Sequence, residues 1–204
     1  ESLALGSDAG TPLISGPGFK LVEAAVSENI SVYPIPGANA AIAGLVSSGL
    51  PTDSFFFAGF LPPKQGARRT RLEELARIPG SLVFYESSGR LAASLADMRD
   101  VLGMRDAAVA REITKLHEEV IRGTLVYLAA TYKEQGGPRG EIVIVVGPPG
   151  AEIVSDETVE QAIRDALQTM SVRDAASEVA QQTGRSRREV YSKALTISGA
   201  DTKT

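Results

Sequence analysis

The sequence predicts an α/β protein with a helical tail, and three observations carry that prediction. Short apolar runs alternate with helical-period segments as far as residue 146, the pattern of a sheet covered by helices. Gly147-Pro148-Pro149-Gly150 then breaks the chain as a linker does. Beyond it, segments 156–169, 172–182 and 186–197 repeat apolar residues at helical spacing.

The first fifty residues read β-loop-α-β-loop-α. Ser2 to Leu5 is a short apolar run that enters a loop rich in Gly and Pro, Gly6 to Pro12, and is expected to be a buried strand. A helix follows from Pro17, with Phe19, Val22 and Val26 on one side and Asn29 at its end. Residues 30–35 alternate as a strand would, Pro36-Gly37-Ala38-Asn39 turns the chain, and Asn39 caps a small-residue helix, 40–48, ended by Gly49. Together these make half of a parallel α/β layer. The chain opens on Glu1 and enters this loop almost at once, so its N-terminal domain is expected to be incomplete.

A second α/β domain is expected over 51–147. Leu50-Pro51-Thr52-Asp53 reads as a connection, and Phe55-Phe56-Phe57 begins a strand. A charged helix, 67–77, places Leu72 and Leu75 inward, and Leu82 to Tyr85 is the next strand. Ser88 is placed to cap a helix running through Leu91, Leu95, Met98 and Leu102 to Gly103. Strands near 107–110 and 119–121, a helix from Thr124 to about Glu134 and the β-branched strand Ile142 to Val146 complete the unit. Their close spacing predicts a mixed sheet. Residues 148–155 are the linker, and 156–204 form a tail whose last two helices, joined at Thr183-Gly184-Arg185-Ser186, fit a helix-turn-helix.

Composition narrows the chemistry. Of 204 residues 43% are hydrophobic and 23% charged, enough for a packed core. No run of about 18 apolar residues and no basic-then-apolar leader is present, so a cytoplasmic protein without a membrane span is expected. The absence of Cys removes disulfides and thiolate sites, and the single His117, read as a loop residue, argues against a His-based metal site or a Ser-His-Asp triad.

The loop Ser7 to Gly18 holds three Gly after Gly6, two Pro and hydroxyls directly after an apolar run. Such a backbone approaches a ligand closely at a strand end, though an ordinary tight connection has the same composition. It is neither a Walker A loop nor a Gly-x-Gly-x-x-Gly fingerprint. The identity and order of the motifs say more. Ser-Asp-Ala-Gly-Thr-Pro-Leu-Ile, Pro-x-Pro-Gly-x-x-Ala-Ala, Gly-Leu-Pro-Thr-Asp, Gly-Phe-Leu-Pro, Phe-Tyr-Glu-Ser-x-x-Arg, Ala-Arg-Glu-Ile-Thr-Lys and Arg-Gly-Glu-Ile-Val follow one another between residue 3 and the tail. In this the chain resembles the tetrapyrrole-methylase superfamily, and within it the small-subunit ribosomal RNA 2′-O-methyltransferase I family.

The resemblance implies a two-domain class III S-adenosylmethionine methyltransferase fold with the cofactor enclosed between α/β domains. The implied reaction is methylation of a cytidine ribose 2′-hydroxyl in 16S rRNA of the 30S subunit, near the decoding centre, by a homodimer without a metal. By motif, Asp8, Gly10, Thr11, Pro12 and Ile14 would border the cofactor, with Asn39, Ala40, Tyr85, Glu86 and Glu112. Gly16, Asn39 after Ala38, and Ser88-Gly89 depart from the residues common in relatives (Asp, Pro-Ser and Pro-His), which leaves the roles of those missing groups open here. Asn39 also serves as a plain helix cap.

A ribose hydroxyl is a weak acid, so a group able to accept or direct its proton is required. Glu112, Lys115 and Glu86 are the candidates, with Arg90 and Arg111 as phosphate or carboxylate partners; ion pairs at strand ends would use the same residues. Residues 62–77 hold five basic groups, Lys64, Arg68, Arg69, Arg71 and Arg77, against two acids, and 185–193 hold Arg185, Arg187, Arg188 and Lys193 against Glu189. Each run reads as an RNA contact or as a solvated helix face. A porphyrinoid acceptor and a non-catalytic RNA-binding module are the competing readings.

Overall fold

The computed structural model describes residues 2–8, 10–150 and 155–201. It separates into two compact units, 1–149 and 150–204.

The first unit is built on a five-stranded sheet of β1 (Phe55–Phe60), β2 (Ser81–Ser87), β3 (Asp106–Arg111), β4 (Glu119–Thr124) and β5 (Glu141–Val146), in the order β1-β2-β5-β3-β4. Only β1 and β2 run parallel; the other three pairings are antiparallel. The mixed sheet expected from the close strand spacing is therefore present. Alternation along the strands divides the core in two. Leu82, Phe84, Val109, Ile142, Ile144 and Val146 face α3 (Gln65–Leu75), α4 (Leu91–Leu102) and α5 (Leu125–Gln135). Val83, Ala110, Val143 and Val145 point the other way and are covered by Ala41 and Leu45 of α2 (Ala40–Ser48). Both faces of the central strands are thus buried, which is why β5 reads as an unbroken apolar run.

The cap at Asn39 is as expected: its Oδ1 accepts from Ile42 N–H at 3.2 Å, and Gly49 ends α2 in the left-handed region. Two strands and one cap differ from expectation. Residues 2–5 and 30–35 form no ladder, and they leave Leu3 80% and Ile35 83% exposed. Alternation makes a strand only where a neighbouring backbone takes up the hydrogen bonds, and among the described residues neither segment has a ladder partner. Ser88 is not a cap because it begins a 3-10 turn, Ser88–Arg90, that feeds α4 directly. Its hydroxyl instead donates to Gly137 O at 3.2 Å. Between these two stretches, α1 (Phe19–Ser27) starts after Gly18 rather than at Pro17.

One buried ion pair ties α3 to α4. Arg68, 5% exposed, places Nε and Nη2 at 2.7 and 2.6 Å from Asp97 Oδ2, while Gln65 and Arg69 donate to Oδ1. The second unit packs α6 (Asp156–Leu167), α7 (Val172–Thr183) and α8 (Arg187–Asp201) around Val159, Ile163, Val179, Val190 and Ala194. Ser155 and Ser171 cap α6 and α7. No helix among the described residues is long and apolar enough to cross a membrane.

Removing one partner of a buried pair strands the other charge. Asp97→Leu is expected to cost about 3–5 kcal/mol in urea unfolding, and Arg68→Met with Asp97→Leu to recover most of it. A double variant no more stable than the single one would contradict this.

Candidate active site

The first unit contains a cavity of about 390 Å³, within the usual range for a ligand pocket. Its walls come from six places in the sequence. The loop contributes Gly10, Thr11, Ile14 and Ser15; the turn and start of α2 contribute Ala38, Asn39, Ala40 and Ala43. The ends of β1 and β2 supply Phe60, Tyr85 and Glu86, and the segments Ile113 to Lys115 and Glu141 to Val143 close the remaining sides.

Local chemistry holds each wall. Thr11 binds the turn, its N–H donating to Ala38 O at 2.8 Å and its hydroxyl to the same oxygen at 3.2 Å. Leu13 and Ser15 have φ of 71° and 54°, a conformation non-glycine residues adopt at some energetic cost and one concentrated at binding sites. The positive end of α2 opens on the cavity. Ala41 N–H donates to Tyr85 Oη at 3.3 Å, and Phe57 and Phe60 meet the Tyr85 ring edge-on at 4.9 and 5.6 Å. Burial pushes the Tyr85 phenol above its ordinary pKa, against the Ala41 hydrogen bond, and the Glu141 charge adds to the rise.

Glu86 is buried and fully engaged. Oε2 accepts from Ser94 at 2.6 Å, and Oε1 accepts from Ser87 N–H and pairs with Arg90, each at 2.7 Å. Arg90 also reaches Ser87 Oγ and Leu61 O. This pair therefore braces the cavity wall.

Lys115 lies on the cavity, bridging Glu112 at 2.9 Å and Glu141 at 3.1 Å. Glu112 is outside the cavity lining and is tied to Glu141: its Oε1 also accepts Glu141 N–H at 2.9 Å, while Glu112 N–H donates to Glu141 O at 3.0 Å. A side chain on Gly140, at φ 121°, would bring its Cβ within 2.6 Å of the Glu112 carboxylate; the Arg-Gly-Glu motif thus needs its glycine. The Glu141 N–H and then Lys115 hold the Glu112 carboxyl below its ordinary pKa, and Glu112 and then Glu141 hold Lys115 above its own. In this state Glu112 is a weak base and Lys115 is a cation.

Of the expected site residues, Gly10, Thr11, Ile14, Asn39, Ala40, Tyr85, Glu86 and Lys115 share this one cavity, whereas Asp8, Pro12 and Glu112 do not line it. Phe60, Thr114 and Glu141 to Val143 are among the lining residues outside that expectation; the motifs containing or flanking them are the available signal. Most of the expected RNA-binding cations have ion-pair partners within the chain. Arg68 is buried on Asp97, Arg69 pairs with Asp97 and Asp100, Arg71 with Glu74, and Arg111 lies 3.7 Å from Glu119. In the tail, Asp156 takes both Arg185 and Lys193. Lys64, Arg187 and Arg188 are exposed, with no ion pair among the described residues. No group of three or more potential metal-ligating side chains occurs among them either.

Residues 2–129 match the model of Tetrapyrrole (Corrin/Porphyrin) Methylases, and 153–198 match the RsmI C-terminal HTH domain. The chain is 46% identical over 198 residues to ribosomal RNA small subunit methyltransferase I of Mesorhizobium japonicum, covering 97% of this chain and 67% of that one. The chain belongs to the ribosomal RNA small subunit methyltransferase I family. The protein of that name from Erythrobacter litoralis is 51% identical over 169 residues, 83% of this chain and 60% of the relative. The one from Xylella fastidiosa is 45% identical, with 94% and 71% covered. The chain thus spans about 60–71% of the lengths of these relatives. Among solved structures, the methyltransferase CobJ aligns with a TM-score of 0.51 at 19% identity, over 72% of this chain and 64% of that one. A conserved hypothetical protein of Aeropyrum pernix gives 0.51 at 14% identity, over 95% and 68%. These two likenesses concern the fold alone.

The shifts of Glu112 and Lys115 set a pH window for the clamp. A carboxylate with a lowered folded pKa stabilises above its unfolded value, about 4.3, and that contribution fades as pH falls through the folded one. The raised Lys115 contributes at neutral pH and loses its share only as pH rises through its folded value, in strong alkali. The urea-midpoint gap between wild type and Glu112→Gln is therefore expected to be largest near neutrality and to shrink below about pH 4. A gap that stays constant from pH 7 to pH 3 would contradict the clamp.

Proposed function

We propose that the chain transfers a methyl group from S-adenosylmethionine to the 2′-oxygen of a cytidine ribose in 16S rRNA, near the decoding centre of the 30S subunit. The single observation that carries this reading is that motifs scattered from residue 10 to residue 143 line one cavity, in a chain whose relatives are named small-subunit rRNA methyltransferases. The protein works in the cytoplasm as a homodimer. Residues 1–50 are the C-terminal half of a cofactor-side domain, 51–147 a second α/β domain, 148–155 a linker and 156–204 the RNA-binding tail.

The cavity suits the cofactor on chemical grounds. Ile14, Phe60 and Val143 offer apolar walls for an adenine ring, and the start of α2 at Asn39 and Ala40 offers its positive end to the methionine carboxylate. When bound, the cofactor supplies an electrophilic methyl on a sulfonium. The ribose O–CH3 bond forms as the S–CH3 bond breaks, leaving a neutral thioether, and the 2′-hydroxyl proton leaves to solvent. Lys115 is charged at neutral pH and faces the cavity, where it stabilises the oxyanion character of that oxygen. Glu112 and Glu141 hold its ammonium in place. Glu86 and Arg90 keep Tyr85 and the β2 end in position.

Incubation of the chain with radiolabelled S-adenosylmethionine and 30S subunits lacking ribose methylation tests the reading. Label is expected in 2′-O-methylcytidine, and Lys115→Met is expected to lower turnover by about 10²–10³ with S-adenosylhomocysteine affinity unchanged. Label in a porphyrinoid instead of RNA, or none in either, would overturn the assignment. Undiminished turnover in Lys115→Met would remove Lys115 from the chemistry.

A further inference from the structure

The second unit carries an outward helix face that the ion pairs leave open. Along α8, Val190, Ala194 and Ile197 are buried in the three-helix core. Arg188, Tyr191, Ser192 and Leu195, at i, i+3, i+4 and i+7, line the opposite side, with Arg187 at its start. Tyr191 is 40% and Leu195 48% exposed. Asp156 and Glu189 draw Arg185 and Lys193 to another side of the unit. What remains on this face is two cations, an aromatic ring, a hydroxyl and a methyl-bearing side chain, with no acid among them.

This combination selects its partner by chemistry. Two exposed guanidiniums call for a polyanion, and a tyrosine one helical turn away offers a flat surface on which a base can stack. The helix-turn-helix arrangement would normally seat its second helix in a major groove. An A-form RNA duplex has a deep, narrow major groove that does not admit side chains, and sequence-specific RNA contact is made with unpaired bases. We infer that the Arg187–Arg188–Tyr191 face of α8 binds unpaired RNA, with the phosphates on the two arginines and a base stacked on Tyr191. The inference rests on the rRNA reading above and narrows it. The tail holds a single-stranded element of the substrate and does not grip a helix.

Fluorescence anisotropy of the full chain with a fluorescein-labelled 12-nucleotide pyrimidine RNA, alone and annealed to its complement, tests this. Tyr191→Leu is expected to weaken single-strand binding roughly 5- to 150-fold and to leave duplex binding within about twofold. Tyr191→Phe keeps the stack and the affinity. Tyr191 lies outside the packed core, so helix content by circular dichroism should be unchanged; Tyr191→Gln replaces the leucine variant if that one fails to fold. Single-strand affinity equal to wild type in the truncated variant would overturn the inference, as would equal losses on single strand and duplex. Arg187→Glu with Arg188→Glu that leaves RNA binding unchanged would also overturn it, while the methyl-transfer assay on 30S subunits could still succeed. Conversely, no transfer to 30S alongside a Tyr191-dependent single-strand affinity would sink the enzymatic assignment and leave this surface standing.

Discussion

Everything at the candidate site hangs on how closely α2 lies against the sheet. A Cβ on Gly44 would come within 2.6 Å of Val143 Cγ1, so the helix reaches β5 at this distance only because residue 44 has no side chain. That contact puts the start of α2 beside Tyr85 Oη and lets Val143 serve both as floor of the core and as wall of the cavity. The far end of α2 is held as well. Arg122 on β4 donates through Nε and Nη2 to the carbonyls of Ser48 and Ser47, a cation at the negative end of the helix. Through Thr11 and Ala38 the glycine-rich loop is then pinned to the same helix.

The charged groups around the cavity divide by what they touch. Glu86 spends both oxygens on Ser94, Ser87 and Arg90, and Glu112 takes Lys115 and the Glu141 N–H on one oxygen, Oε1. Both carboxylates hold neighbouring groups in place. Lys115 alone among the three candidates combines a place on the cavity with a charge that can act on a reacting oxygen. The backbone of this segment is unusual too, with Glu112 and Thr114 at φ of 49° and 67°, a strain of the kind that surrounding contacts maintain at functional sites.

The sequence made the mixed sheet, the helical tail and the Asn39 cap legible because each rests on local pattern: apolar period, turn residues and a capping side chain; most of the expected linker, 151–154, lies outside the described residues. The alternation at 2–5 and 30–35 gives no strand, because pairing depends on a neighbour and alternation does not reveal one. Arg68 reads as a surface cation in a basic run, yet its partner Asp97 comes from the next α-helix, 29 residues on. The same holds for Arg185 and Asp156 in the tail. Ion-pair partners far apart in sequence are set by packing, so a local charge excess does not show which cations are paired. The cavity motifs were found as motifs, but their division into walls and braces needed coordinates.

The close contact between α2 and β5 is the feature on which the cofactor assignment depends. Titration calorimetry of S-adenosylhomocysteine against wild type, Gly44→Ala and Gly44→Val tests it directly, with circular dichroism to confirm that the sheet persists. A side chain at 44 must lift α2 from Val143, so affinity is expected to fall in the order Gly, Ala, Val, with a loss of about tenfold or more for Val, equivalent to about 1.4 kcal/mol. Equal affinities in three folded proteins would contradict the claim that this cavity, built by α2 on the sheet, is where the cofactor binds.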